Sequence, residues 1–155
     1  MSDAEYSALK KKLQRWSDQW RTCLGLRWWR ITYVWDRDGT TTRRERPPQD
    51  RAAETAAFTE ARWHYLDATI IYNMVAIAGM EDDERRERTV LHEHCHLLVN
   101  ELRDEPHTVS IDYLHHEERV VSTLTHAFWW TRLHGLDEET TKKAANISLA
   151  QGVST

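Results

Sequence analysis

The chain has only two cysteines in 155 residues, Cys23 and Cys95, far apart in sequence. So small a number excludes a disulfide scaffold and points to a reducing compartment. Proline is scarce as well, and two of the three prolines stand together at Pro47-Pro48. No apolar run approaches the roughly 20 residues that a membrane-spanning helix needs. The opening "MSDAEYSALKKK" lacks the apolar core of a secretory signal. Positive charge is not in excess: 21 Lys and Arg stand against 25 Asp and Glu, a formal net charge of −4. That balance offers no general basic field to a nucleic acid. The expectation is one cytoplasmic domain over residues 1–155, with neither membrane nor nucleic acid as partner.

What the chain does hold is aromatic and imidazole: eight tryptophans and nine histidines. A disordered chain would not carry so many aromatics. Tyr6, Leu9, Leu13, Trp16 and Trp20 recur at helical spacing and predict an amphipathic helix over 5–21. Gly25 breaks that pattern. In "RWWRITYVWDRDG", Trp29, Ile31, Tyr33 and Trp35 alternate with Arg30, Thr32 and Val34, the period of a strand, closed by Asp38-Gly39. "TTTRRERPPQDR", 40–51, reads as a polar loop. A second strand is expected within 55–65 and a third over 68–74, where "ATIIYNM" is apolar and β-branched. The acidic start of "GMEDDERRER" suits a helix first turn, and that helix is expected from Asp82 to Leu102, with Pro106 barring a longer course. A last long helix is expected over 112–134, stopped by Gly135. A short helix over 137–147 and a disordered tail, 148–155, complete an α+β order of helix, strands, helix, helix. In each of the pairs Trp28-Trp29 and Trp129-Trp130, one indole must face away from the core, which suggests an oligomer or partner surface.

The chemistry concentrates in "TVLHEHCHLLVNEL", Thr89 to Leu102. It contains His92-Glu93-x-x-His96. Residues four apart lie on one face of a helix, so His92 and His96 can grip one metal ion between them. Glu93 projects about 100° round the helix and can take a proton from a water at the open metal position. A zinc ion there brings the acidity of its water to about neutral. Val90, Leu91, Leu98, Val99 and Leu102 give the same helix a buried side. His94 is expected to face solvent or a supporting partner rather than the metal, and Cys95 to be a small buried residue.

Catalytic zinc usually takes three protein ligands. The candidates for the third are His107, His115, His116, Glu117 and Glu118. Glu117 shares a face with Val121, Leu124 and Phe128, whereas Glu118 aligns with Ser122, Thr125 and Trp129. If the apolar row packs against the motif helix, Glu117 points at the metal, and Glu117 is the preferred ligand. Asp67, Asp112 or Glu118 could accept the outer N–H of a ligating histidine. Tyr113, His115, His116 and His126 are candidate donors to an oxyanion.

On these residues the chain resembles a small zincin metallopeptidase of the minimal gluzincin kind, ImmA/IrrE-type or phage-encoded. The resemblance rests on His92, Glu93 and His96, on "HEERVVSTL", and on the strand–strand–helix–helix order. It covers about residues 28–130. It implies zinc, a peptidase site with Glu93 as base, and a small three-stranded sheet whose edge could receive a peptide or protein substrate. The metzincin extension is absent, because Val99 and Leu102 stand where glycine and histidine are needed. The Asn-Glu-x-x-x-Asp pattern is absent too, with His116 before Glu117 and Val121 in the aspartate position. The other class of function considered is a non-catalytic zinc-binding regulatory or interaction module on the same scaffold.

Overall fold

A computed structural model of the chain describes residues 1–40, 55–99 and 111–134. Residues Met1–Thr125 form one compact unit and His126–Thr155 another. Among the described residues there are four helices and one three-stranded sheet. The loop expected at 40–51, the short helix at 137–147 and the tail fall, apart from Thr40, outside the described residues.

Helix α1 runs Asp3–Cys23. Ser2 and Glu5 close a capping box at its start: Glu5 N donates to Ser2 Oγ at 3.3 Å and Ser2 N donates to Glu5 Oε2 at 2.7 Å. Replacing Ser2 by Ala should cost about 1 kcal/mol. For a chain of this size that is a fall of about 2–4 °C in Tm, readable by calorimetry. Leu9, Leu13, Trp16, Ser17 and Trp20 form the buried stripe. Gly25, at φ 71°, ends the run. A 3₁₀ turn, Leu26–Trp28, follows, and Trp29 is buried while Trp28 faces solvent, the split required of an adjacent indole pair.

Strands β1 (Arg30–Asp36), β2 (Ala57–Arg62) and β3 (Asp67–Asn73) lie in the order β1-β3-β2. β1 is parallel to β3 and β2 is antiparallel to it. Tyr33, Ile70 and Thr59 make one cross-strand row, and Trp35, Tyr72 and Ala57 the next. Tyr72 and Trp35 stack at 5.3 Å. On this face Ser17 of α1 lies 3.2 Å from the Tyr72 hydroxyl, so α1 covers these rows.

The second strand is shorter than the 55–65 expected. It ends at Arg62, and Trp63–Tyr65 form a 3₁₀ turn with Leu66 at φ 47°. The tight reversal into β3 is what removes Tyr65 from the sheet and leaves it in solvent. Met74, expected as the last residue of the third strand, instead opens helix α2, Met74–Ala78. Asn73 dictates this, since its Oδ1 accepts from Ala76 N at 3.1 Å.

Helix α3 spans Asp83–Val99 and α4 spans Ile111–Leu133. Asp82 Oδ1 accepts from Arg85 N at 2.7 Å and so caps α3. Arg86 donates to the carbonyls of Ile77, Ala78 and Met80, tying α3 to the end of α2. Trp20 Nε1 donates to the buried Glu87 at 3.1 Å, joining α1 to α3. Val90, Leu91, Cys95 and Leu97 enter the core with Leu13, Ile70, Tyr72, Met74 and Ile77. No described helix is long and apolar enough to cross a membrane.

Candidate metal centre

The motif helix is fixed to the sheet by the residues between and beside its histidines. His94 is fully buried. Its Nδ1 donates to the Val90 carbonyl at 2.8 Å, which leaves Nε2 to accept from the Tyr33 hydroxyl at 3.1 Å. Burial pushes the His94 imidazole down to about 4, so it is neutral at ordinary pH. His94 is thus a core group bonded to β1, not a solvent-facing one. Cys95 is buried as expected, and burial pushes its thiol up to about 11, far from a reactive thiolate.

Tyr33 carries the complementary shift, up to about 12, because burial disfavours the phenolate. In the unfolded chain it ionises at about 10. Between those values the unfolded state has lost a proton that the folded state keeps. The contribution to stability is therefore full below pH 10 and lost as pH rises through 12, at most about 3 kcal/mol and less for the part of the ring that water still reaches. Denaturant unfolding at about pH 9 and about pH 11 should show the decline, shallower in Tyr33→Phe. An equal slope in the variant would assign the decline elsewhere. The same variant should lose about 1–3 kcal/mol at neutral pH, because the buried His94 Nε2 loses its donor.

Glu93 is also buried. Thr59, on β2, places its hydroxyl 2.6 Å from Glu93 Oε2 and 3.2 Å from the Glu93 carbonyl oxygen. This single side chain ties the motif helix to the edge strand. Thr59 and Tyr33 escaped the reading of the sequence as site residues. Their only signal was a polar group at inward strand positions, opposite Ile70 in the same row.

His92 and His96 sit one turn apart on α3, with ring centroids 5.0 Å apart and nearly perpendicular planes. Helix α4 brings two carboxylates to them, on different sides. Glu118 Oε2 lies 3.3 Å from His92 Nε2, and Glu118 Oε1 lies 3.4 Å from His96 Nε2. One ligand atom from each of His92, His96 and Glu118 falls within 4.8 Å of the other two. Atoms bound to a tetrahedral zinc at about 2.0–2.1 Å stand about 3.3–3.4 Å from one another. The two observed separations, each to a different oxygen of Glu118, are close to that edge and exceed the roughly 2.7–2.9 Å of a charge-assisted hydrogen bond.

Glu117 has the other task. Its Oε1 accepts from His96 Nδ1 at 2.9 Å, and its side chain is 5 % exposed against 58 % for Glu118. The donation from Nδ1 leaves the His96 Nε2 lone pair turned toward Glu118. Burial lowers the proton affinity of His96. The Glu117 hydrogen bond and the charges of Glu93, Glu118 and Glu117 outweigh it and hold the imidazole above its ordinary value. The negative potential that stabilises a proton there also favours a cation.

The expected row holds only in part: Glu117 and Val121 are buried, but Leu124 and Phe128 are half-buried while Thr125 and Trp129 of the Glu118 row are buried. Glu117 meets the inner nitrogen of His96, and Glu118 reaches the outer nitrogens. His115, His116 and His126 are exposed, and His116 Nδ1 lies 3.2 Å from Arg119 Nη2. Asp67 pairs with Arg62 at 3.1 Å. His107 and the side chains of Asp112 and Tyr113 lie outside what is described. No protein-family model matches the chain, and no curated protein or solved structure is significantly similar to it.

Proposed function

We propose that the chain is a zinc-dependent peptidase with a zincin-type site, in which His92, His96 and Glu118 hold the ion and Glu93 is the general base. The observation that carries the reading is the convergence of one ligand atom from each of His92, His96 and Glu118 within 4.8 Å, beside a buried glutamate at the second motif position. Two imidazoles and a carboxylate are a donor set that zinc accepts, with a fourth position left over. An ion bound there would supply Lewis acidity, drawing a water's pKa down and polarising a carbonyl. Glu117 fixes the tautomer and ring of His96. Glu93 accepts a proton from the attacking water as its oxygen bonds to the carbonyl carbon. Glu93 then returns that proton to the amine nitrogen as the C–N bond breaks. Thr59 holds the Glu93 carboxylate in place for both transfers. β2 is an edge strand, and an extended peptide laid along it by main-chain pairing would pass over Glu93.

Metal content by mass spectrometry and cleavage of a quenched-fluorescent peptide library test the reading together. About one zinc ion per chain is expected, with cleavage abolished by a chelator and restored by added zinc. His92→Ala should lose both. Absence of stoichiometric zinc from the wild type would sink the metal assignment. Stoichiometric zinc with no cleavage of peptide or protein would favour the non-catalytic module instead.

A further inference from the structure

We infer that the end of the sheet where β1 and β3 begin is a docking surface for an anionic lipid bilayer. The two strands start in register, Arg30 opposite Asp67, and the Arg30 amide donates to the Leu66 carbonyl at 2.7 Å. The turns leading into them, Leu26–Trp28 and Trp63–Tyr65, therefore lie at one end. Each presents an aromatic side chain to solvent: Trp28 is 83 % exposed and Tyr65 71 %. Leu66 beside them is 36 % exposed and held at φ 47°, a conformation that costs a leucine free energy.

The Trp28 turn is braced. The Arg21 guanidinium donates to the carbonyls of Leu26, Arg27 and Trp29, the last at 2.6 Å, and Trp29 is buried as an anchor. Trp28 is projected from a fixed turn rather than carried on a loose one. Arginine predominates around it. Arg21, Arg27, Arg30 and Arg62 gather there against Asp67, which is itself paired with Arg62 at 3.1 Å. This local excess stands out on a chain of net charge −4.

Trp and Tyr rings, an apolar tip and flanking cations suit the boundary between headgroups and acyl chains of an anionic bilayer. A second copy docked symmetrically would set the arginines against their own counterparts. A single-stranded nucleic acid would need a charged groove to track its backbone, and an indole so fully exposed lines none. This proposal departs from the expectation that a membrane is no partner.

The full chain is mixed with phosphatidylcholine vesicles, with or without phosphatidylserine, and bound protein is separated by flotation. Wild type should float with the phosphatidylserine vesicles and detach as salt rises. The double variants Trp28→Ala with Tyr65→Ala, and Arg27→Glu with Arg30→Glu, should each bind about tenfold more weakly, with unchanged melting by circular dichroism. Lys10→Glu with Lys11→Glu, on the exposed face of α1, should bind as wild type. No flotation of the wild type overturns the proposal. So does a loss confined to the lysine variant, or capture of a single-stranded oligonucleotide in place of vesicles.

Discussion

Glu93→Gln should lower kcat/KM for peptide cleavage by about 10²–10⁴, while zinc content and Tm stay at their wild-type values. The amide cannot accept a proton from water, so the base is lost. Its Oε1 can still accept the Thr59 hydroxyl that now lies 2.6 Å from Glu93 Oε2, so the tie between α3 and β2 survives. The imidazoles of His92 and His96 are untouched. The three readouts therefore separate cleanly: rate falls, metal and fold do not. Thr59→Val is the companion variant. It removes the hydroxyl and keeps the carboxylate, so its loss should be smaller and fall on kcat more than on KM, since Thr59 acts through Glu93 and not on the substrate. Cleavage that persists in Glu93→Gln at full zinc occupancy would remove Glu93 from the base role.

Periodicity carried the fold a long way. The alternation from Trp29 to Trp35 placed β1, the 3.6-residue stripe of Leu9, Leu13, Trp16 and Trp20 placed α1, and the His92–His96 spacing placed two imidazoles on one side of α3. What it missed were groups whose role depends on a distant partner. Asn73 turns the end of an apolar strand into a helix start through one side-chain bond to Ala76 N. Thr59 and Tyr33 acquire their roles only when β2 and β1 are laid beside β3 and under α3. Leu66 at φ 47° has no signature in the local sequence, because turns of that kind favour glycine or asparagine. The two adjacent glutamates on α4 show the limit most sharply. Face periodicity put Glu117 on the buried side, where it meets His96 Nδ1, and left Glu118 exposed beside both Nε2 atoms; which of the two would hold an ion depends on that placement and not on the face alone.

That distinction yields opposite expectations for neighbouring residues. Glu118→Ala should abolish stoichiometric zinc, because it removes the carboxylate lying 3.3 Å and 3.4 Å from the two Nε2 atoms. It should leave the metal-free Tm unchanged, since that side chain is 58 % exposed. Glu117→Ala should behave in reverse. The ion stays, but its affinity falls about 10–100-fold, because His96 loses the acceptor that sets its tautomer and ring orientation. The metal-free protein should also lose about 1–3 kcal/mol, because the buried Nδ1–H of His96 is left without a partner. Glu117→Gln discriminates further: its Oε1 accepts the same hydrogen bond, so stability should return while part of the affinity loss remains with the missing charge. Zinc titration by calorimetry and thermal unfolding under chelator give both quantities on the same three variants. Loss of the ion in Glu117→Ala with retention in Glu118→Ala would exchange the two roles. The helix α4 would then have to rotate by about 100°, one residue's turn, when the ion enters.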